Sequence, residues 1–183
     1  AACGSGNPFA PSTPTPAPLT IWDYETVCRQ GAVAEAAVYD TAAAGVHPIA
    51  LFERSGTDVR AYNLMVNSLL KLPDAWVVDH QGDPTKVQLV VCITRTKAEF
   101  LMTCSFRDDK APDVNYRLDV YRASYEVRVL VALEGKEIAT GVLEASEDFC
   151  PTFHMFLEEK ENSYAAVNGA DLQAFLAEDV QTK

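Results

Sequence analysis

The chain has few of the features that reveal a function quickly. Its longest apolar runs, such as VQLVVCI over residues 87–93, fall far short of the roughly 18 to 20 residues that a bilayer-spanning helix needs. Basic residues are scarce, 15 Lys and Arg against 26 Asp and Glu for a net charge of −11, and no basic cluster exceeds two or three residues. That removes the electrostatic footprint on which nucleic-acid binding or unaided adhesion to anionic lipid depends. No C-x-x-C pair occurs, so the common zinc, thioredoxin-type and haem-attachment spacings are missing. H-E-x-x-H, the G-x-S-x-G elbow of serine hydrolases and the phosphate-cradling glycine loops are absent too, as is any internal repeat.

What remains is a soluble-type composition, 48% hydrophobic and 22% charged over 183 residues, enough for one domain with a real core plus a tail. Of the five cysteines, four (Cys28, Cys92, Cys104 and Cys150) lie in the body of the chain. An even number of separated cysteines without metal spacing reads as two disulfides formed in an oxidising compartment. The chain opens on Ala1 and not on Met, which leads to the expectation that an export signal has been removed.

The fifth cysteine, Cys3, precedes a segment unlike the rest. Five of the ten prolines fall within the first 18 residues, among Ser, Thr and Ala, so this stretch cannot bury enough apolar surface to fold and reads as an extended tether. The expected organisation is a flexible tether over residues 1–20 and one globular domain over 21–183. Small residues before Cys3 and Gly-Ser-Gly after it resemble the processing site of bacterial lipoproteins, in which the cysteine is lipidated. Ala1 and Ala2 depart from the processed form, which begins at the cysteine. Lipid attachment at Cys3 is the expectation; a thiol that pairs between molecules is the competing one.

Along the body, apolar residues after Pro48 predict a strand over 49–54. Val59, Tyr62, Met65, Val66, Leu69 and Leu70 fall at helical spacing and predict an amphipathic helix over 58–71. Two apolar runs, 87–95 and 99–106, flank the charged RTKA and predict a hairpin centred on Ala98. That register sets Cys92 opposite Cys104, close enough for a cross-strand disulfide, and leaves Cys28 for Cys150. Four cysteines allow three connectivities, so the other two stay open. Alternation from Tyr125 to Leu133, a turn at EGKE and a strand from Ile138 to Leu143 continue the sheet. PTFHMFLEEKE (151–161) is a short helix candidate, and NGADLQAFLAEDV (168–180) an amphipathic helix capped at its start. The resulting fold class is α+β, an antiparallel sheet of four to six strands with helices on one face, stapled by disulfides.

Several fragments together resemble a group of uncharacterised exported bacterial proteins and lipoproteins with paired cysteines. The fragments are Cys28 before GAVAEAAVYD, the HPI strand start, LP before Trp76, LVVC with Cys104 and Phe106 beyond it, YEVRV, a turn glycine, and CP near a closing helix. The likeness spans residues 28–180. It implies export and paired cysteines, and no chemistry.

No catalytic residue stands out, and neither metal nor cofactor is expected. Among the three histidines, His47 reads as structural before Pro48, and His154 as a surface or core residue. The best single loop is DHQGD, where Asp79, His80 and Asp83 gather two carboxylates and an imidazole that could hold a cation or act as an acid–base pair. Asp, Gly and Pro also build ordinary turns. RDDKAPD (107–113) lacks the glycine and terminal glutamate of a calcium loop. Trp22, Tyr24, Tyr39, Tyr62 and Trp76 either plug a core or mark a partner surface. The reading that best fits these residues is an extracytoplasmic, non-enzymatic binding or accessory protein at the cell surface or in the periplasm. It would meet a protein partner, reach a membrane only through a lipid anchor and bind no nucleic acid; a metal-dependent or acid–base hydrolase around DHQGD is the alternative.

Overall fold

The computed structural model describes residues 17–108 and 111–182. Cys3 and most of the tether expected over 1–20 lie outside them. In chain order the elements are a 3-10 turn Ile21–Tyr24, α1 Glu25–Cys28, β1 Gly45–Val46, β2 Ile49–Arg54, β3 Asn63–Leu64, α2 Asn67–Leu70, and a second 3-10 turn Pro84–Lys86. There follow β4 Leu89–Asp108, β5 Ala111–Val131, β6 Glu137–Ala145, β7 Lys160–Tyr164, α3 Gly169–Val180 and β8 Gln181–Thr182. Six strands form one sheet in the order β3-β2-β4-β5-β6, with β7 paired to the same side of β5 as β6, further along; β1 and β8 make a separate two-stranded ladder.

The sheet is mixed and not antiparallel as the sequence suggests, because β2 runs parallel to β4 and β7 parallel to β5. Nor do helices cover one face alone. Ile49, Leu51, Leu89, Val91, Ile93, Val127 and Val129 face α3, which buries Leu172, Leu176 and Val180 against them. Ala50, Phe52, Val90, Cys92 and Leu130 face the other way, onto Tyr24, Val27 and Cys28 of the N-terminal segment. The unbroken apolar runs IALF and LVVCI are therefore strands covered on both sides, where alternation gives way to continuous hydrophobicity. Each of the three α3 side chains is fully buried and contributes roughly 1.5–3 kcal/mol. Asn168 starts α3 as expected, its Oδ1 accepting from the amides of Ala170 and Asp171.

The predicted hairpin at Ala98 is not formed. β4 runs straight through RTKA with only register shifts at Arg95/Lys97 and Phe100/Met102, pairing along its whole length with β5. RTKA offers no Gly, Pro, Asn or Asp, and the antiparallel pairing of β4 with β5 runs on past it to the register partners Asp108 and Ala111. This overturns the expected disulfides. Cys92 and Cys104 lie on one strand, twelve residues or roughly 40 Å apart, far beyond disulfide reach. The bonds are instead Cys28–Cys92 and Cys104–Cys150, with Cα separations of 5.6 and 5.7 Å.

Two predicted helices also give way. Residues 58–71 hold only β3 and the four-residue α2, because the Asn67 amide donates to the Leu72 carbonyl and accepts from the Leu72 amide, closing the turn, while Lys71 takes a left-handed φ of 56°. Their apolar spacing is not one stripe: Tyr62 enters the core on the α1 side, Leu70 the core on the α3 side, and Leu69 is exposed. Residues 151–159 are loop and 160–164 are β7. The strand at 49–54, the EGKE turn with Gly135 at φ 66° and the return strand appear where the sequence puts them.

Candidate functional site

The DHQGD loop precedes the second 3-10 turn, and its carboxylates serve its own backbone. Asp79 Oδ1 accepts from the Gln81 amide, and Asp83 Oδ1 accepts from both the hydroxyl and the amide of Thr85, capping that turn. The Thr85 hydroxyl, then its amide, hold the Asp83 carboxyl below the usual aspartate range. Asp79 also borders an open cavity of about 540 Å³ with Asn67, Lys71 and Asp74, while exposed His80 and Asp83 do not line it. The three residues are close in sequence, but the fold does not converge them on one point. Among the described residues no group of three or more His, Cys, Asp or Glu is arranged to hold a metal ion.

Other titratable groups are accounted for by packing. His47 is buried between Gln88 Oε1 at 2.7 Å and Thr182 Oγ1 at 3.2 Å. Tyr24 and Tyr125 donate to the backbone carbonyls of Pro84 and Ala165, and burial pushes both phenols up to about 12. Burial also raises the Glu53 carboxyl, against the pull of Arg95, at a cavity of about 250 Å³. Of the five first-half aromatics, Tyr24, Tyr62 and Trp76 are core, Tyr39 is half-buried and Trp22 is exposed.

The arm formed by the outer halves of β4 and β5 carries a different surface. Cys104, Leu118 and Val120 form a small core of their own with Met102, Phe106 and Phe156. Phe156 lies 5.2 Å from Phe106, 5.0 Å from Tyr116 and 4.6 Å from His154 between ring centroids. The loop that brings Phe156 there is fixed at two places. Cys150 bonds Cys104, and Glu161 accepts from His154 Nε2 and from the amides of Leu157 and Glu158. Those bonds, the one from His154 foremost, hold the Glu161 carboxyl below the usual glutamate range. Nearby, Asp119 joins Thr103 to Lys160.

Between these fixed points the loop turns Phe153, Met155 and Leu157 outward, and Phe149 just before Cys150 is exposed as well, the four side chains being 66 to 91% exposed. Six carboxylates and a single lysine flank them between Glu144 and Glu161. The sequence reading gives this segment to a helix and misses the surface. The signal available was a Phe/Met/Leu-rich stretch broken by Cys-Pro and bounded by acids, a poor composition for burial on one helical face. No protein-family model, curated protein or solved structure matches the chain.

Proposed function

We propose that this chain is an extracytoplasmic binding or accessory protein, without chemistry of its own, that docks a protein partner on the loop at 149–157. The observation that carries the reading is the set of four exposed apolar side chains held in place by Cys104–Cys150. Large apolar side chains held exposed on a structurally fixed loop are what a partner buries. The acidic flanks favour a partner whose own apolar patch is rimmed by Lys or Arg, and they disfavour an anionic bilayer. Two disulfides point to an oxidising compartment, and no described helix is long and apolar enough to cross a membrane. Within this proposal residues 1–20 are the tether and Cys3 the lipid attachment point, leaving the domain free to reach its partner at the cell surface or in the periplasm.

The test is a photo-reactive amino acid placed at Leu157 and, as control, at Gln173 on the exposed side of α3, irradiated in producing cells. A discrete protein adduct at Leu157 only, lost with Met155→Asp and retained with His80→Ala, is expected. Equal adducts at both sites, lipid in place of protein, or insensitivity to Met155→Asp would overturn it. Loss of the biological role with His80→Ala in a folded chain would favour the hydrolase.

A further inference from the structure

We propose that the cavity beside the Cys28–Cys92 disulfide binds a phosphate group, either free or as the phosphomonoester of a small organic molecule. The chain is strongly acidic and has eight arginines, yet Arg29, Arg54, Arg60 and Arg128 line this one cavity of about 360 Å³, with Gln30 and Tyr62. No carboxylate lines it. Gathering half the guanidiniums at one point opposes Coulomb repulsion, and an anion seated among them turns that repulsion into attraction.

The fold assembles this cluster from four separate segments. Phe52, Cys92 and Arg128 are cross-strand neighbours on β2, β4 and β5, and Arg54 and Thr94 are neighbours two residues along. Both rows sit on the sheet face that meets α1, because cross-strand partners share a face. Cys28, the last residue of α1, bonds to Cys92, which sets Arg29 and Gln30 at the cavity. Arg60 comes from the loop between β2 and β3.

The guanidiniums are oriented in advance. Arg54 Nε donates to Thr94 Oγ1 at 3.1 Å, the Tyr62 hydroxyl meets the same oxygen at 3.2 Å, and the Tyr62 ring lies 5.1 Å from the Arg54 Cζ. Arg128 likewise commits its Nε to Glu137, at 2.7 Å. In each case the two terminal nitrogens, the fork that grips an oxyanion, are not those used. Arg29 pairs with Glu25, whose same oxygen accepts from the Tyr62 amide. Four guanidiniums less the two carboxylates they pair with leave a charge of +2, lowered to +1 by Glu126, the cross-strand partner of Thr94 on the same face, so the cluster stays net positive toward an anion. A planar carboxylate offers two oxygens to a cluster that approaches from four segments, whereas a tetrahedral phosphate offers three or four. The site has no local sequence motif, since no glycine loop is involved.

The experiment is titration calorimetry of the full chain with inorganic phosphate, glycerol 3-phosphate and succinate, repeated on Arg60→Ala and Arg128→Lys after each variant is shown to unfold in urea like the parent. One-to-one saturable binding of a phosphate compound, at least tenfold tighter than succinate and weakened at least tenfold in both variants, is expected. Tighter binding of glycerol 3-phosphate assigns an organic phosphomonoester; tighter binding of the inorganic ion assigns free phosphate. Absence of saturable binding at tens of millimolar, succinate binding as well as phosphate, or variants that bind like the parent would overturn the assignment.

Discussion

Replacing Cys28 and Cys92 together by Ala removes a link between residues 64 apart in sequence; replacing Cys104 and Cys150 removes one between residues 46 apart. If a disulfide acts by restricting the unfolded chain, loops of these lengths give about 4.3 and 4.0 kcal/mol at 25 °C. Chain entropy alone therefore makes the pairs nearly equal, but their surroundings differ. Cys28 and Cys92 are 4% and 1% exposed inside the core on the α1 side, so their loss also removes packed sulfur, and the first variant should reach the upper end of a roughly 2–5 kcal/mol range. Cys150 is exposed at the rim of a three-residue core, so loss of the second bond frees the loop locally and should cost the domain less than the entropy figure. Urea unfolding of the oxidised parent and both variants measures this. For a domain of this size each kcal/mol also lowers Tm by roughly 2–4 °C. A peptide map without reduction should show Cys28 joined to Cys92 and Cys104 to Cys150. A loss below about 1 kcal/mol for the core pair would refute the staple argument, given that native disulfides typically contribute more. A peptide joining Cys92 to Cys104 would refute the continuous β4 strand.

Glu161→Gln should loosen the loop at 149–157 without disturbing the sheet, since a glutamine cannot accept on both arms. The sign follows from its lowered carboxyl: the contact is complete above the ordinary glutamate range and is lost as pH falls through the folded-state value. The Leu157 and Glu158 amide resonances should therefore titrate together with a midpoint below the roughly 4.3 of a free glutamate, and a midpoint at or above that value would refute the contact. Gly169→Ala places a methyl on the Leu70 carbonyl oxygen, where backbone must move, and should cost roughly 1–3 kcal/mol in urea unfolding; a neutral result would mean that α2 and the start of α3 do not meet this closely.

The parts of the fold legible in the sequence are those whose signal is local. Pro48 before IALF, the EGKE turn and Asn168 ahead of Leu172 and Leu176 each state their own structure. What misled was charge read as a turn. Thr96 to Glu99 are exposed because β4 has run past its β2 partner there, and polar residues in a strand without Gly, Pro or Asn mark solvent and not reversal. One misplaced turn then forced the wrong disulfides, since the register of Cys92 depended on it. The mixed sheet was invisible for another reason, because the parallel partners β2 and β4 are separated by 34 residues and nothing local records their direction. The four arginines are as widely scattered, from 29 to 128, and only the pleat of three strands and one disulfide puts them together.

Each disulfide thus lies beneath one proposed binding surface, and this bears on how these two surfaces could bind. Association costs the ordering of loops and roughly 0.5–1.5 kcal/mol for each long side chain immobilised. At the arm, Cys150 and Glu161 fix the backbone on either side of Phe153, Met155 and Leu157 before any partner arrives. At the arginine cluster, Cys28–Cys92 fixes the end of α1 against β4, and Thr94, Tyr62 and Glu137 already hold Arg54 and Arg128. In both places the ordering cost is met during folding, in the oxidising compartment where the bonds form, so that modest contact areas can still yield specific binding.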